Sequence, residues 1–292
     1  MPPTLLLIRH AQAQHNLTEN YDLPDPPLTP QGHQQCRELA AHLSRNLGEE
    51  LRQHQRQRGL EVGDIGLVVV SPMRRTLETA TEGLGWLIGD GEDDGEEGGW
   101  SGRRVRLDAM WQENSAKPCD TGSPIPTLSK EFPQFDWSAV DSIYPNKTSP
   151  ASNPYRFTRS AVLKRGQHAL EWLYARPEKI IAVVSHSGFL RTAVTKTKFA
   201  NADYRIFDFQ KLDGEADGGG DGQDGPAGAA PLPVAEDGRG LELVEWEVTK
   251  ERGGGMGRSQ KGRWEIVEGE FPEETGDVAV EEKGEPEREE KT

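Results

Sequence analysis

Three short apolar runs in this chain each end on residues suited to gripping phosphate. Leu5 to Ile8 leads into Arg9-His10, Ile65 to Val70 into Ser71-Pro72-Met73-Arg74-Arg75, and Ile180 to Val184 into Ser185-His186-Ser187-Gly188. A guanidinium presents a fixed fork of donors that matches the oxygens of a phosphoryl group. A neutral imidazole can attack phosphorus near neutral pH without first losing a proton, as a hydroxyl must. One such cluster after a strand is ordinarily a piece of surface. Three at equivalent positions imply a shared crevice, because ligands of open α/β sheets bind outside the carboxyl ends of the strands.

That convergence requires the runs to be neighbouring strands. Each is too short for a helix and is made of leucine and β-branched residues, which reads as a buried strand of a largely parallel sheet. Between them lie helical patterns. Thr29 as N-cap and Pro30 at the first helical position open one over 30–58, with Leu39, Leu43 and Leu47 on its buried face. Others cover 72–87 and 157–175, and a further one starts at Gly188. Strand and helix alternation predicts right-handed crossovers and an α/β three-layer sandwich, its mostly parallel central sheet flanked by helices.

Several segments interrupt the alternation. The Gly-, Asp- and Glu-rich stretch 89–102 is expected to be a solvated insertion ahead of a short strand at 104–107. Residues 114–155 carry Phe132, Phe135, Trp137, Tyr144 and Tyr155, too aromatic for a linker, and are expected to form a lid whose Trp137 helps set specificity. An edge strand is predicted at 204–209, closing a catalytic domain over 1–211 that should survive truncation after Lys211. A flexible linker over 212–240 follows, then an edge hairpin within 241–267 built from 241–248 and 264–267, and a disordered acidic tail over 268–292. Asp213, Glu215, Asp217 and Asp224 faintly echo a calcium loop but lack flanking helices and a terminal glutamate.

Taken together, the motifs resemble the histidine phosphatase (phosphoglycerate mutase-like) superfamily. Arg9-His10-Ala11-Gln12-Ala-Gln-His15-Asn16 is similar to its Arg-His-Gly-Glu-x-x-x-Asn signature, departing at Ala11 and Gln12. Leu28-Thr29-x-x-Gly32-x-x-Gln35, Ser71-Pro72-x-x-Arg75-Thr76 and Val184-Ser185-His186-Ser187-Gly188 follow in the same order. The likeness spans roughly residues 4–210, and Pro118 to Ser123 resembles a block of fungal-type phosphatases in the superfamily. It implies a covalent mechanism with His10 as nucleophile, Arg9, Arg75 and His186 stabilising the transferring group, and Glu113 as general acid. Asp108 lies close enough in sequence to compete for that last role. Asn16, Ser187 and Gln12 are the expected substrate-binding residues. His15, His33, His42, His54 and His168 lie among polar neighbours and are expected to face solvent.

Composition bounds the rest. Of the formal charge of −15, the stretch 212–292 holds −14, with 23 acidic residues against nine basic, so acidity of the whole does not argue against an anion site in the body. Neither nucleic acid nor a membrane is an expected partner; a small phosphorylated substrate is. Two cysteines, Cys36 and Cys119, suit neither a disulfide scaffold nor a zinc site, and no cofactor or metal is expected. The N-terminus lacks a basic region and a cleavage site, which predicts a cytoplasmic protein and unmodified sequons at Asn16 and Asn146. The expected activity is phosphomonoester hydrolysis. A mutase would need basic residues just past Glu113, where the chain offers Lys117 and adds Asp120. A catalytically idle scaffold is the alternative from another class, although such proteins usually lose the nucleophile or an arginine.

Overall fold

The computed structural model describes residues 1–54, 59–88, 104–148, 153–210, 241–266 and 269–272. Six strands form one sheet: Thr4–Arg9 (β1), Ile65–Val70 (β2), Arg104–Leu107 (β3), Ile180–Ser185 (β4), Tyr204–Phe209 (β5) and Leu243–Glu245 (β6). Their order is β3-β2-β4-β1-β5-β6. The first four run parallel, and β5 and β6 are antiparallel additions. The three site-bearing strands are therefore consecutive in the sheet, with β4 between β2 and β1.

The period of two along each strand builds the layers. Leu6, Ile8, Val68, Val70, Ala182 and Val184 face one cluster, completed by helices Pro30–His54 (α2, after the single turn Gln14–Thr18, α1) and Arg74–Ile88 (α3). Leu5, Leu7, Leu67, Val69, Ile181 and Val183 face the other, covered by Arg159–Tyr174 (α5, which follows the short α4, Ile125–Glu131). Ser187–Phe189 (α6) and the π-turn Leu190–Val194 complete that layer. Thr29 caps α2 as expected, its hydroxyl accepting from the Gly32 amide at 3.0 Å. Gly32 has no room for a side chain, since a Cβ would lie 2.1 Å from the Gln12 carbonyl oxygen. None of the described helices is long and apolar enough to cross a membrane.

Three expectations change. The strand β5 is not an edge, because β6 pairs outside it. The hairpin between 241–248 and 264–267 does not form: after β6 the chain turns into Glu247–Arg252 (α7), and Arg263 bridges Thr197 instead. Burial of Trp246 explains the turn, since its indole enters the core while Nε1 donates to Asp208 Oδ2 at 2.9 Å. Finally, a boundary at 211 does not separate a finished core. Leu241 and Trp246 are buried in it, and the Arg205–Glu245 ion pair at 2.6 Å is sealed from solvent. The expected insertion 89–102 and linker 212–240 lie outside the described residues, as does nearly all of the expected tail.

The glycine-rich run after α7 has a specific task. Met256 N, Arg258 N and Ser259 Oγ all donate to the buried Asp203 carboxylate, at 2.8, 3.1 and 2.6 Å. Gly254, at φ +85°, passes so close that a Cβ would lie 2.2 Å from Asp203 Oδ2. A left-handed backbone free of side chains is what this wrap demands.

The aromatic segment around 114–148 is packed into the body of the domain. Phe132, Phe135, Val140 and Tyr144 are buried in the α2/α3-side cluster, and Trp137 rests half-buried against it with Nε1 on the Phe132 carbonyl at 3.0 Å. Trp137→Ala is accordingly expected to lower stability by about 1–3 kcal/mol, less than a full core truncation. Thermal unfolding reads this directly, and KM for bulky and small phosphate esters should rise together if at all. A selective rise for the bulky ester would instead support a role of Trp137 in specificity.

Candidate active site

Extension of the sheet's own hydrogen bonds places the motif residues side by side. Past the end of β1, His10 N donates to Ser185 O at 3.0 Å, and past β2, Ser71 N donates to Val184 O at 3.0 Å. The His10 and His186 rings lie with centroids 5.2 Å apart. Arg75 reaches the pair from the first turn of α3, its Nε donating to His10 Nε2 at 3.2 Å.

Two contacts of His10 define its proton. A carbonyl oxygen only accepts, so the 2.7 Å contact from Nδ1 to Ala11 O puts the hydrogen on Nδ1. A guanidinium only donates, so the contact from Arg75 puts a lone pair on Nε2. Both point to the neutral Nδ1–H tautomer. Burial, followed by the nearby Arg75 and Arg9, also pushes the His10 pKa well below its ordinary value. His186 is lowered in the same way by burial and Arg75, and its Nε2 meets Ser71 Oγ at 2.8 Å.

Arg9 is fixed by Nη1 donating to Phe199 O at 2.8 Å, and its buried Nε has no partner among the described residues. His186 Nδ1 is likewise buried and unpartnered among them. Glu113 comes from the loop after β3. Its carboxylate accepts from Phe189 N at 2.8 Å, Gly188 N at 3.0 Å and Asn114 N at 2.9 Å. A Cβ at position 188 would meet Glu113 Oε1 at 2.4 Å, so the glycine is what admits the carboxylate. Asp108 goes elsewhere: it caps Met110 N at 2.9 Å and lies 3.9 Å from Arg106. Arg74 also turns away, to Glu131.

The three expected substrate-binding residues are engaged with the protein itself. Asn16 Oδ1 accepts from Ala13 N at 3.0 Å, while its Nδ2 meets His15 Nε2 at 3.0 Å. Gln12 Oε1 accepts from Thr29 Oγ1 at 2.8 Å, joining the signature loop to the start of α2. Ser187 Oγ reaches Phe199 O at 3.4 Å.

Sequence reasoning missed several participants. His15, expected in solvent, is 6% exposed with its ring centroid 6.1 Å from that of His10. His42, also expected in solvent, is half-buried outside the site, 3.2 Å from the Tyr204 hydroxyl. Asp120 lies 3.4 Å from Arg75 Nη2, and the adjacent Cys119 carbonyl accepts from Arg75 Nη1 at 2.7 Å. Asn201 Nδ2 donates to His10 O at 3.1 Å. The proximity of Asp120 to Arg75 had a visible clue, the Pro118 to Ser123 block; the others had none.

Burial of the three histidines has a pH consequence. His15 is lowered from 6.5 to about 4, chiefly by burial and then Arg75. For a base whose folded pKa is depressed, the unfolded chain takes up protons first. Stability is then complete above about pH 6.5 and falls as pH drops toward the folded value. The unfolding temperature should decline from pH 6.5 to 4, and His15→Gln should flatten part of that decline. An unchanged slope would mean that His15 protonates equally well in both states.

Comparison with known proteins agrees with this arrangement. The sequence model of the histidine phosphatase superfamily (branch 1) matches residues 5–88. Phosphoglycerate mutase-like protein 1 of Arabidopsis thaliana is 32% identical, over 64% of this chain and 69% of that protein. A probable phosphatase of Schizosaccharomyces pombe is 29% identical, over 64% of this chain and 76% of its own length. A further phosphoglycerate mutase-like protein of Arabidopsis thaliana is 29% identical, over 64% and 72%. With its motif blocks in order at three adjacent strand ends and a relative of this likeness, the chain belongs to the histidine phosphatase superfamily.

Proposed function

We propose that the protein is a metal-independent phosphomonoesterase that hydrolyses a small phosphorylated substrate through a phosphohistidine on His10. The observation that carries this reading is the pair of contacts on His10, Nδ1 at 2.7 Å from the Ala11 carbonyl and Nε2 at 3.2 Å from Arg75 Nε, which favours the tautomer with a lone pair on Nε2. Nε2 attacks phosphorus, the ester P–O bond breaks, and Glu113 supplies the proton taken up by the leaving oxygen. Water then loses a proton to Glu113 and attacks the phosphohistidine, the P–N bond breaks, and inorganic phosphate leaves. Arg75 must exchange its bond to Nε2 for the phosphoryl oxygens before attack. Arg9 Nε and the free nitrogen of His186 are further groups available to the spread charge of the transition state.

The Schizosaccharomyces pombe relative, a probable phosphatase, supports hydrolysis. So does Asp120, which sets a carboxylate beside the phosphate-gripping guanidinium and disfavours a second phosphate there. The test is turnover of an aryl phosphate. EDTA should leave the rate unchanged, and vanadate, a mimic of five-coordinate phosphorus, should inhibit. Chelation that abolishes activity, with magnesium restoring it, would overturn metal independence.

A further inference from the structure

Lys147 is 3% exposed, yet its ammonium faces no carboxylate partner within ion-pair distance among the described residues. Instead Nζ donates to three backbone carbonyls, those of Glu113 at 2.6 Å, Ser115 at 3.0 Å and Asp120. An ammonium has three N–H donors, so this set saturates it. All three acceptors belong to the loop that follows β3. The side chains of that loop serve the site: Glu113 sits on the amides of Gly188 and Phe189, and Asp120 sits beside Arg75. Its backbone faces Lys147.

The donor is itself held from behind. Asn153 Nδ2 donates to Asn146 O at 2.8 Å, and Tyr144 OH donates to Pro72 O at 2.6 Å, tying the 144–147 turn to the start of the α3 region. On the flank of the loop, Arg165 Nη2 donates to Asn114 Oδ1 at 3.0 Å. Placing an ammonium in a buried position is unfavourable, and an apolar residue of similar shape would often be at least as stable. Three convergent carbonyls on one functional loop give the lysine a different use, fixing the path of that loop.

We propose that Lys147 is the positioning residue of the general acid: by clamping the carbonyls of residues 113, 115 and 120 it fixes where the Glu113 carboxyl meets the leaving oxygen. This rests on the reading of Glu113 as the acid. Misplacing a proton donor by an ångström is enough to lose about a hundredfold in rate. The loss falls on substrates that need the proton. An alkyl phosphate must leave as an alcohol, whereas para-nitrophenolate leaves with little protonation.

The experiment compares kcat/KM for ethyl phosphate and para-nitrophenyl phosphate in the full-length protein, in Lys147→Met and in Glu113→Gln. In Lys147→Met the alkyl ester should lose about a hundredfold and the aryl ester less than about tenfold, following the sense of Glu113→Gln. Equal losses on both esters in Lys147→Met, while Glu113→Gln discriminates between them, would overturn the positioning role. Equal losses in Glu113→Gln would instead overturn the acid assignment beneath it. Should Lys147→Met be insoluble, Lys147→Gln, which keeps two N–H donors, is put to the same comparison with the same deciding outcomes.

Discussion

With alanine at position 10, turnover of para-nitrophenyl phosphate is expected to fall by about four orders of magnitude or more, with no phosphate attached to the protein. The size of the effect follows from the removal of the acceptor atom itself, since the surrounding guanidiniums can bind phosphate but cannot take it. Glu113→Gln fails differently. An aryl leaving group departs without much help, so under the proposed mechanism His10 should still be phosphorylated while the water that should release it lacks its base. An acid-labile phosphoenzyme therefore accumulates. Alkaline quenching followed by mass spectrometry places the label on His10. Label on a serine, or full activity in His10→Ala, would refute the covalent assignment.

Truncation after Lys211 should leave an insoluble chain, contrary to what composition alone suggests. It removes Trp246 from the core, worth about 3–5 kcal/mol by comparison with other large core truncations. It also strips Glu245 and the Gln260 carbonyl from Arg205, and so removes an ion pair that is buried in the intact protein. Asp203 loses the amides of Met256 and Arg258 and the hydroxyl of Ser259. Together these approach the whole stability of a typical domain, about 5–15 kcal/mol. A fragment ending at Pro272 retains every one of these contacts and should melt cooperatively. A soluble 1–211 fragment with the unfolding temperature of the full chain would show that the later segment is dispensable.

The elements that carry the site were legible because they are built on local pattern. Leucine and β-branched runs announced the strands, and the residues at their ends could be read as convergent before any coordinate was known. The cap at Thr29 and the buried face of α2 follow from spacing in the same way. What stayed hidden depends on tertiary placement without a local signature. Lys147 is one lysine within an Asn-Lys-Thr sequon, 34 positions from Glu113, and only the folded turn aims its ammonium at the loop. The run Gly253 to Gly257 has the composition of a linker, yet its missing side chains are what let it close on Asp203. His15 sits among polar neighbours in sequence, and its burial beside His10 comes from the turn of α1 against the strand end.

The strand order has a consequence for how the protein is made. Thr4 pairs with Ile180 on one side of β1 and Leu5 with Phe207 on the other, so the strand ending in His10 is synthesised well before either of its sheet neighbours. At about 5–20 residues per second, β1 waits roughly 10–35 seconds with both edges unpaired. Its Thr-Leu-Leu-Leu-Ile run is apolar and uncharged, the composition that invites edge-to-edge association during such a delay. His10, Arg75 and His186 therefore come together only once β4 has been made, and β5 and β6 complete the sheet later still.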